Sequence, residues 1–397
     1  MTIEVNRKAF SKAIRTAIAI MNGRTNIEAL KNAKIEIING YIRVIATNLN
    51  VWVIQTIETN TTEDKPSLLV NKQDLKKLAK SVNAFRSKTV DILLSREGIL
   101  CDGCLYKASN DENFPTMDDL PISNNSEIIN GKAFRKILES AIENKRDNNA
   151  IPWQNGCKIC IALNWISVDV TNGATACNYV YDVSAMDSEY PKIKATINGQ
   201  INGQAMKDVK NVLKYMNTVL ECLQTRSNDT GYLILKSNEN QIGLQTELRI
   251  TESATRFFDF WTIENSISKE YYKTVSIDAT RLAVAMKSIN NWNIPGNVFI
   301  LSIKDSQTIT LESGDMAVDV YANDIQDIKP FNKADKIALD SYIFTKLLKN
   351  LNNTETLIKF GGADKHIVIN SAIAIPGLQI PIQVSALLMP VLTRSLQ

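Results

Sequence analysis

The chain repeats itself at an interval of 124 residues. Asn6-Arg7-Lys8-Ala9-Phe10-Ser11-Lys12-Ala13-Ile14 returns as Asn130-Gly131-Lys132-Ala133-Phe134-Arg135-Lys136-Ile137-Leu138, and the same offset carries Thr47-Asn48 onto Thr171-Asn172. Two landmarks in step indicate a duplicated structural unit rather than a chance match. A looser third copy opens at Asp278-Ala279-Thr280-Arg281-Leu282-Ala283. A length of 397 residues accommodates three such domains, with expected bounds at 1–126, 127–269 and 270–397. The polar stretches around Asn124-Asn125-Ser126 and Asn265-Ser266-Ile267-Ser268-Lys269 are the expected linkers.

Each domain divides again into two half-units, a helix followed by strands. Six windows carry helical signals: 7–20, 72–83, 131–146, 203–217, 278–290 and 340–352. Each follows or opens on an Asn or Asp, whose side-chain oxygen accepts from the free amides of a first turn. Apolar residues recur three and four apart, as in Ala9, Phe10, Ala13, Ile14 and in Ile343, Phe344, Leu347, Leu348. That spacing makes one apolar stripe and one wet face. Between the windows lie alternating, β-branched segments. Ile35-Glu36-Ile37-Ile38 meets Tyr41-Ile42-Arg43-Val44-Ile45 across Asn39-Gly40, a two-residue hairpin signature. Similar pairs flank Arg96-Glu97-Gly98, Asn238-Glu239-Asn240 and Lys304-Asp305-Ser306. The expected class is α+β: helices on one side of antiparallel sheets, six times over.

Composition excludes several functions. With 44% apolar and 22% charged residues the chain has the make-up of a globular protein. No apolar run reaches the roughly 18 residues that cross a bilayer. Met1-Thr2-Ile3-Glu4-Val5 lacks the charged lead and apolar stretch of a secretory signal. Six cysteines in this length do not make a disulfide framework, which points to a reducing cytoplasm. The single histidine, His366, leaves little room for histidine acid–base chemistry. No Gly-rich phosphate loop or nucleophile elbow appears, so an enzyme is not expected, nor any cofactor.

Net charge is only +3, but its distribution is uneven. The six helix windows hold 20 Lys and Arg against 6 Asp and Glu, leaving 25 basic and 36 acidic residues elsewhere. Helices favour Lys and Arg as solvated residues, yet Glu is an equally good helix former and occurs in these windows only twice. Basic helices repeated in tandem would offer one polyanion-facing surface, suited to nucleic-acid backbone contacted without reading bases.

Gly23-Arg24-Thr25, Thr47-Asn48-Leu49-Asn50, Asn113-Phe114-Pro115, Arg256-Phe257-Phe258-Asp259-Phe260 and Leu387-Leu388-Met389-Pro390-Val391, in that order, resemble landmarks of the bacterial DNA polymerase III β subunit, the β sliding clamp. Gly23-Arg24-Thr25 with Ile27, Leu30 and Asn32 looks like the family's Gly-Arg-(Pro/Thr) loop. Thr47-Asn48-Leu49-Asn50 looks like its Thr-Asp-Leu-Glu turn, and Asn113-Phe114-Pro115 like its Asp-Phe-Pro segment. Arg256-Phe257-Phe258-Asp259-Phe260 and Leu387-Leu388-Met389-Pro390-Val391 resemble later landmarks. The resemblance implies a head-to-tail homodimer ring whose helices line a hole threaded by double-stranded DNA. It also implies a polymerase catalytic subunit and a clamp loader that dock through short peptide motifs. Some features depart from the family. Its Thr-Asp-Gly-His-Arg-Leu loop reads Thr171-Asn172-Gly173-Ala174-Thr175-Ala176; Phe258 stands where Pro is expected; Ser184–Lys194 is longer; and Thr393–Gln397 runs past the usual end.

Candidate DNA-facing residues are Lys8, Lys12, Arg15, Lys76, Lys80, Lys132, Arg135, Lys136, Lys207, Lys210 and Lys214 on the helices, with Arg24 and Trp153 added by the resemblance. Each alone reads equally well as a solvated surface residue, and Trp153 as a core one. By resemblance, a partner-peptide groove would use Gln154, Thr171, Gly173, Thr175, Phe258, Ile263, Leu387, Leu388, Met389, Pro390 and Val391, although Leu387–Val391 also reads as a last core strand. Cys104 and Tyr106 match one side of the family's dimer contact and Ile289 the other. The pairs Cys101/Cys104 and Cys157/Cys160 leave an alternative open, a zinc-stabilised β-rich interaction protein. Against it, the pairs fall in different repeats, and positions three apart on a strand face opposite sides.

Overall fold

The computed structural model describes residues 2–21, 25–61, 65–109, 113–117, 119–121, 123, 126–145, 151–162, 165–182, 196–257, 260, 263, 271, 273–290, 297–327, 336–351, 354–361, 366–378 and 380–391. Among them are six helices: α1 (Arg7–Ile20), α2 (Lys72–Ala84), α3 (Gly131–Asn144), α4 (Gly203–Leu213), α5 (Ala279–Asn290) and α6 (Ser341–Asn350). All six have the expected polar cap. Asn6 Oδ1 accepts from Ala9 N at 3.1 Å, Asn71 from Asp74 N at 3.0 Å and Asn130 from Ala133 N at 3.0 Å. Asn202 Oδ1 accepts from Ala205 N at 2.8 Å, Asp278 from Thr280 N at 2.7 Å and Asp340 from Ile343 N at 2.9 Å. Each bond satisfies an amide that the helix itself leaves free.

The chain forms two compact units, residues 1–135 with 194–254 and residues 136–193 with 255–397. In the first unit an eight-stranded antiparallel sheet runs in the order 65–71, 32–38, 41–47, 51–58, 244–251, 230–239, 219–227, 126–130. A second sheet has four strands, ordered Ile3–Asn6, Thr89–Ser95, Gly98–Cys101, Cys104–Lys107. α1 buries Ala9, Phe10, Ala13, Ile14 and Ala17, and packs on strands Tyr41–Thr47 and Val51–Glu58 as well as on α2 and α4. Phe10 and Ile14 fully buried contribute about 1.5–3 kcal/mol each and the alanine methyls less, so the apolar stripe fixes the helix to the sheet.

In the second unit, strands Gly156–Ala162, Trp165–Thr171, Thr175–Asp182, Ile382–Leu388, Ile367–Ile373, Glu355–Phe360, Lys273–Asp278 and Asp324–Asp327 follow one another in one antiparallel sheet. Another four-stranded sheet is ordered Met316–Tyr321, Thr308–Ser313, Val298–Ile303, Lys336–Asp340. α5 and α6 pack on each other.

The sequence repeat is repeated in atomic detail. Thr47 Oγ1 donates to Val51 O at 3.0 Å, and Thr171 Oγ1 to Thr175 O at 2.8 Å. Asn48 Oδ1 accepts from Val51 N at 3.0 Å, and Asn172 Oδ1 from Thr175 N at 2.8 Å. After each turn comes a strand that joins two half-units: Val51–Glu58 pairs with Leu244–Thr251, and Thr175–Asp182 with Ile382–Leu388.

Two turns differ from expectation. Strand Thr230–Glu239 continues through Asn238 and Glu239, and the chain reverses over Asn240–Ile242 with Gly243 at φ 63°. Cys101-Asp-Gly-Cys104 is a hairpin: Asp102 and Gly103 have φ of 52° and 73°, and Cys101 pairs with Cys104 across the turn.

Candidate DNA-facing helices and partner groove

Packing an amphipathic helix by its apolar stripe leaves its charged residues outside. In the first unit Lys8, Arg15, Lys76, Lys80, Lys132 and Lys214 are exposed, while Arg135, Lys207 and Lys210 are half-buried. These residues come from α1, α2, α4, the residue after α4, and the start of α3. Lys12 is also half-buried, and its ammonium is bonded to Glu239. Lys136, in the second unit, sits 3.7 Å from Glu139. Burial lowers the Lys72 ammonium pKa, as does Lys76 nearby, while Asp208 opposes the shift. Positive charge is therefore dense enough on α2 for its lysines to repel one another.

Sequence reasoning singled out no DNA-facing residue of α5 or α6. The structure exposes Arg281, Lys287 and Lys349 there, and leaves Tyr342 66% exposed with Lys346 Nζ 5.9 Å from its ring centroid. Their signal was the helical period itself, weaker here because each helix carries only two basic residues. Arg24 and Phe258 lie outside the described residues.

The groove candidates split into two groups. Gly173 is exposed at the tip of the Thr171–Thr175 turn, with φ 92° and Gln154 beside it: a Cβ at Gly173 would collide with Gln154 Nε2. Met389 follows directly, its N donating to Ala174 O at 3.0 Å, and it is 52% exposed. Gln154, Thr171 and Thr175 are buried behind this tip. Leu387 and Leu388 are buried too, because their strand lies between two neighbours and both its faces are covered. Leu387 belongs to a cluster with Ala176, Phe260, Tyr271 and Val368. Pro390 and Val391 are half-buried, with Val391 N donating to Ala338 O at 2.9 Å. Ile263 is 36% exposed and Trp153 43% exposed. Gly173 and Met389 are thus the surface pair that the turn and strand bring together.

Of the dimer candidates, Cys104 is exposed on the last strand of its sheet. Tyr106 is buried and donates to Ser81 Oγ at 2.6 Å, and Ile289 is buried within α5. The cysteines do not assemble a ligand set. Cys157 and Cys160 face opposite sides of one strand, and burial pushes the Cys101 thiol up to about 11 and Cys157 well above its ordinary value. Among the described residues no group of three or more His, Cys, Asp or Glu converges on a point. No helix among them is long and apolar enough to cross a membrane.

The DNA polymerase III beta subunit of Thermotoga maritima has this fold at 13% identity and a TM-score of 0.75, with 99% of each chain covered. The sliding clamp of Bacillus subtilis gives the same values. The Pseudomonas aeruginosa subunit gives 10% identity and a TM-score of 0.75, over 99% of this chain and 100% of that one. Residues 1–118 match the family described as DNA polymerase III beta subunit, N-terminal domain. No curated protein matches the chain.

Proposed function

We propose that the chain is a DNA sliding clamp: a non-catalytic processivity factor of three tandem clamp domains that closes head to tail with a second copy around duplex DNA and tethers the replicative polymerase in the cytoplasm. The observation that carries this reading is the pair of unfinished sheets. Where half-units meet inside the chain, an end strand of one pairs antiparallel with an end strand of the next, Val51–Glu58 with Leu244–Thr251 in a sheet of four strands plus four, and Thr175–Asp182 with Ile382–Leu388 in the sheet of the second unit. Among the described residues one four-stranded sheet in each unit has no such continuation, and ends on strand Cys104–Lys107 or Met316–Tyr321. In an antiparallel ladder alternate residues point their backbone groups outward. Leu105 and Lys107 do so on one edge, Ala317 and Asp319 on the other. Open edges of this kind are templates for pairing. Joining them between two copies would complete the same eight-stranded pattern, and doing so twice closes a ring.

The helix charge gives such a ring its use. Lysines and arginines screened by water attract phosphates without base contacts, so the duplex is held and still slides. The polymerase and the loader would dock through short apolar segments at Gly173 and Met389. Light scattering tests the closure: a particle of about twice the 44.3 kDa chain mass supports it, and a strict monomer at high concentration contradicts it.

A further inference from the structure

We propose a second docking site in the first unit, for an acidic peptide segment of a partner protein that carries an apolar anchor; it is independent of the ring and of the Gly173/Met389 groove. The site is a cavity of about 950 Å³ between strands 32–38, 41–47 and 65–71 and the segment Asn113–Met117.

Its wall is basic. Among the described residues Lys34, Arg43 and Arg96 line it, against one carboxylate, Glu36. Glu36 is buried and holds Lys34 Nζ at 2.6 Å and Arg43 Nη1 at 3.2 Å, so one acid fixes two cations at the cavity edge and neutralises only one. Arg96 is exposed and makes no ion pair among the described residues. Outside the helix windows the chain carries 36 acidic and 25 basic residues, so three cations against one acid among the described lining residues run against that balance. Charge of this sign selects an anionic partner and speeds its arrival.

The floor is apolar, and the chain already shows what it accepts. Phe114 meets Trp52 edge to face with ring centroids 6.2 Å apart, and both Phe114 and Met117 pack on the Ile45, Trp52 and Ile54 cluster. An irregular segment thus seats apolar side chains here while its backbone passes overhead. Strand Lys65–Asn71 is the last of its sheet. Among the described residues its outer edge is met by Ala108 opposite Val70 and by Ser109 N, which donates to Leu69 O at 2.6 Å. An apolar floor beside a basic wall favours a peptide over a bare anion: the anchor packs on the floor beside Phe114 and Met117, and carboxylates reach Arg96 and Arg43. A volume near the top of the range for ligand pockets suits three or four residues.

The test uses the full chain and a fluorescein-labelled octapeptide of Glu and Asp around a central Phe-Leu pair, read by anisotropy. Saturable binding on the order of 10–100 μM is expected, weakening as salt rises from about 50 to 300 mM. Arg96→Glu and Ser67→Glu, both at exposed positions, should each weaken it about tenfold while leaving the melting temperature unchanged. Four results would each overturn the proposal. They are absence of saturable binding, equal binding of a Lys-for-acid counterpart, full displacement by inorganic phosphate, or loss of binding in Met389→Glu with none in Arg96→Glu.

Discussion

Leu49 and Gly173 hold the same position in two turns 124 residues apart, and both lie at positive φ, 75° and 92°. Each amide donates to the threonine hydroxyl two residues back, Leu49 N to Thr47 Oγ1 at 2.9 Å and Gly173 N to Thr171 Oγ1 at 3.1 Å. The turn demands this conformation whatever residue occupies it. Glycine adopts it freely; leucine is strained there, by about 1 kcal/mol or more.

Leu49→Gly should therefore stabilise the protein by about 0.5–1 kcal/mol, the released strain exceeding the extra entropy of an unfolded glycine. Gly173→Ala should destabilise it by more than about 1 kcal/mol, since the new Cβ is both strained and in collision with Gln154. Urea denaturation of the two variants measures both, and equal and opposite shifts are not expected.

Asp208 gives a pH dependence. It is buried on α4, accepts from Asn48 Nδ2 at 2.6 Å and Gln204 Nε2 at 3.1 Å, and burial raises its carboxyl pKa despite those bonds. Below the usual carboxylate value, 3.8, the group is protonated in both folded and unfolded chains. Above its raised folded value it is ionised in both, and the folded state bears the desolvation. Its contribution to stability therefore falls as pH rises through that window. Relative to Asp208→Asn, the wild type should lose stability as pH rises from the usual carboxylate value of 3.8 through the raised folded value. Parallel curves over that range would refute the assignment.

Lys8 and Lys12 lie one helical turn apart, but only Lys12 is already bonded to a carboxylate, Glu239. Lys8→Gln should lower the slope of log affinity against log salt for duplex DNA by about 0.9, and Lys12→Gln by clearly less. Titrations at several salt concentrations separate the two.

Ala317 points its amide away from the sheet on the open edge Met316–Tyr321, because Ser313 pairs with Met316 across a two-residue turn. Ala317→Pro should leave the fold of the chain intact and shift it from dimer to monomer. Sedimentation velocity reads this directly; an unchanged dimer would show that this edge is not the contact.

Local chemistry was legible in the sequence, and long-range placement was not. All six caps were readable because an Asn or Asp side chain needs only its next three residues. The Thr47 and Thr171 turns were readable for the same reason. At Cys101-Asp-Gly-Cys104 the Asp-Gly signal was present, but the cysteine spacing drew attention away from an ordinary hairpin. Leu387 and Leu388 look like alternating groove residues until their strand proves to be central, with both faces covered. The basic cavity depends on Asn113–Met117 folding onto strands 42 or more residues earlier in the chain, which no local pattern specifies.

The central claim is that paired edges make a ring held on DNA by topology. It is tested most directly by placing the protein on a nicked circular duplex with a clamp loader, isolating the complex, and cutting the circle once. Retention should be lost on linearisation, as the ring slides off the ends. Equal retention on circular and linear DNA would contradict the claim.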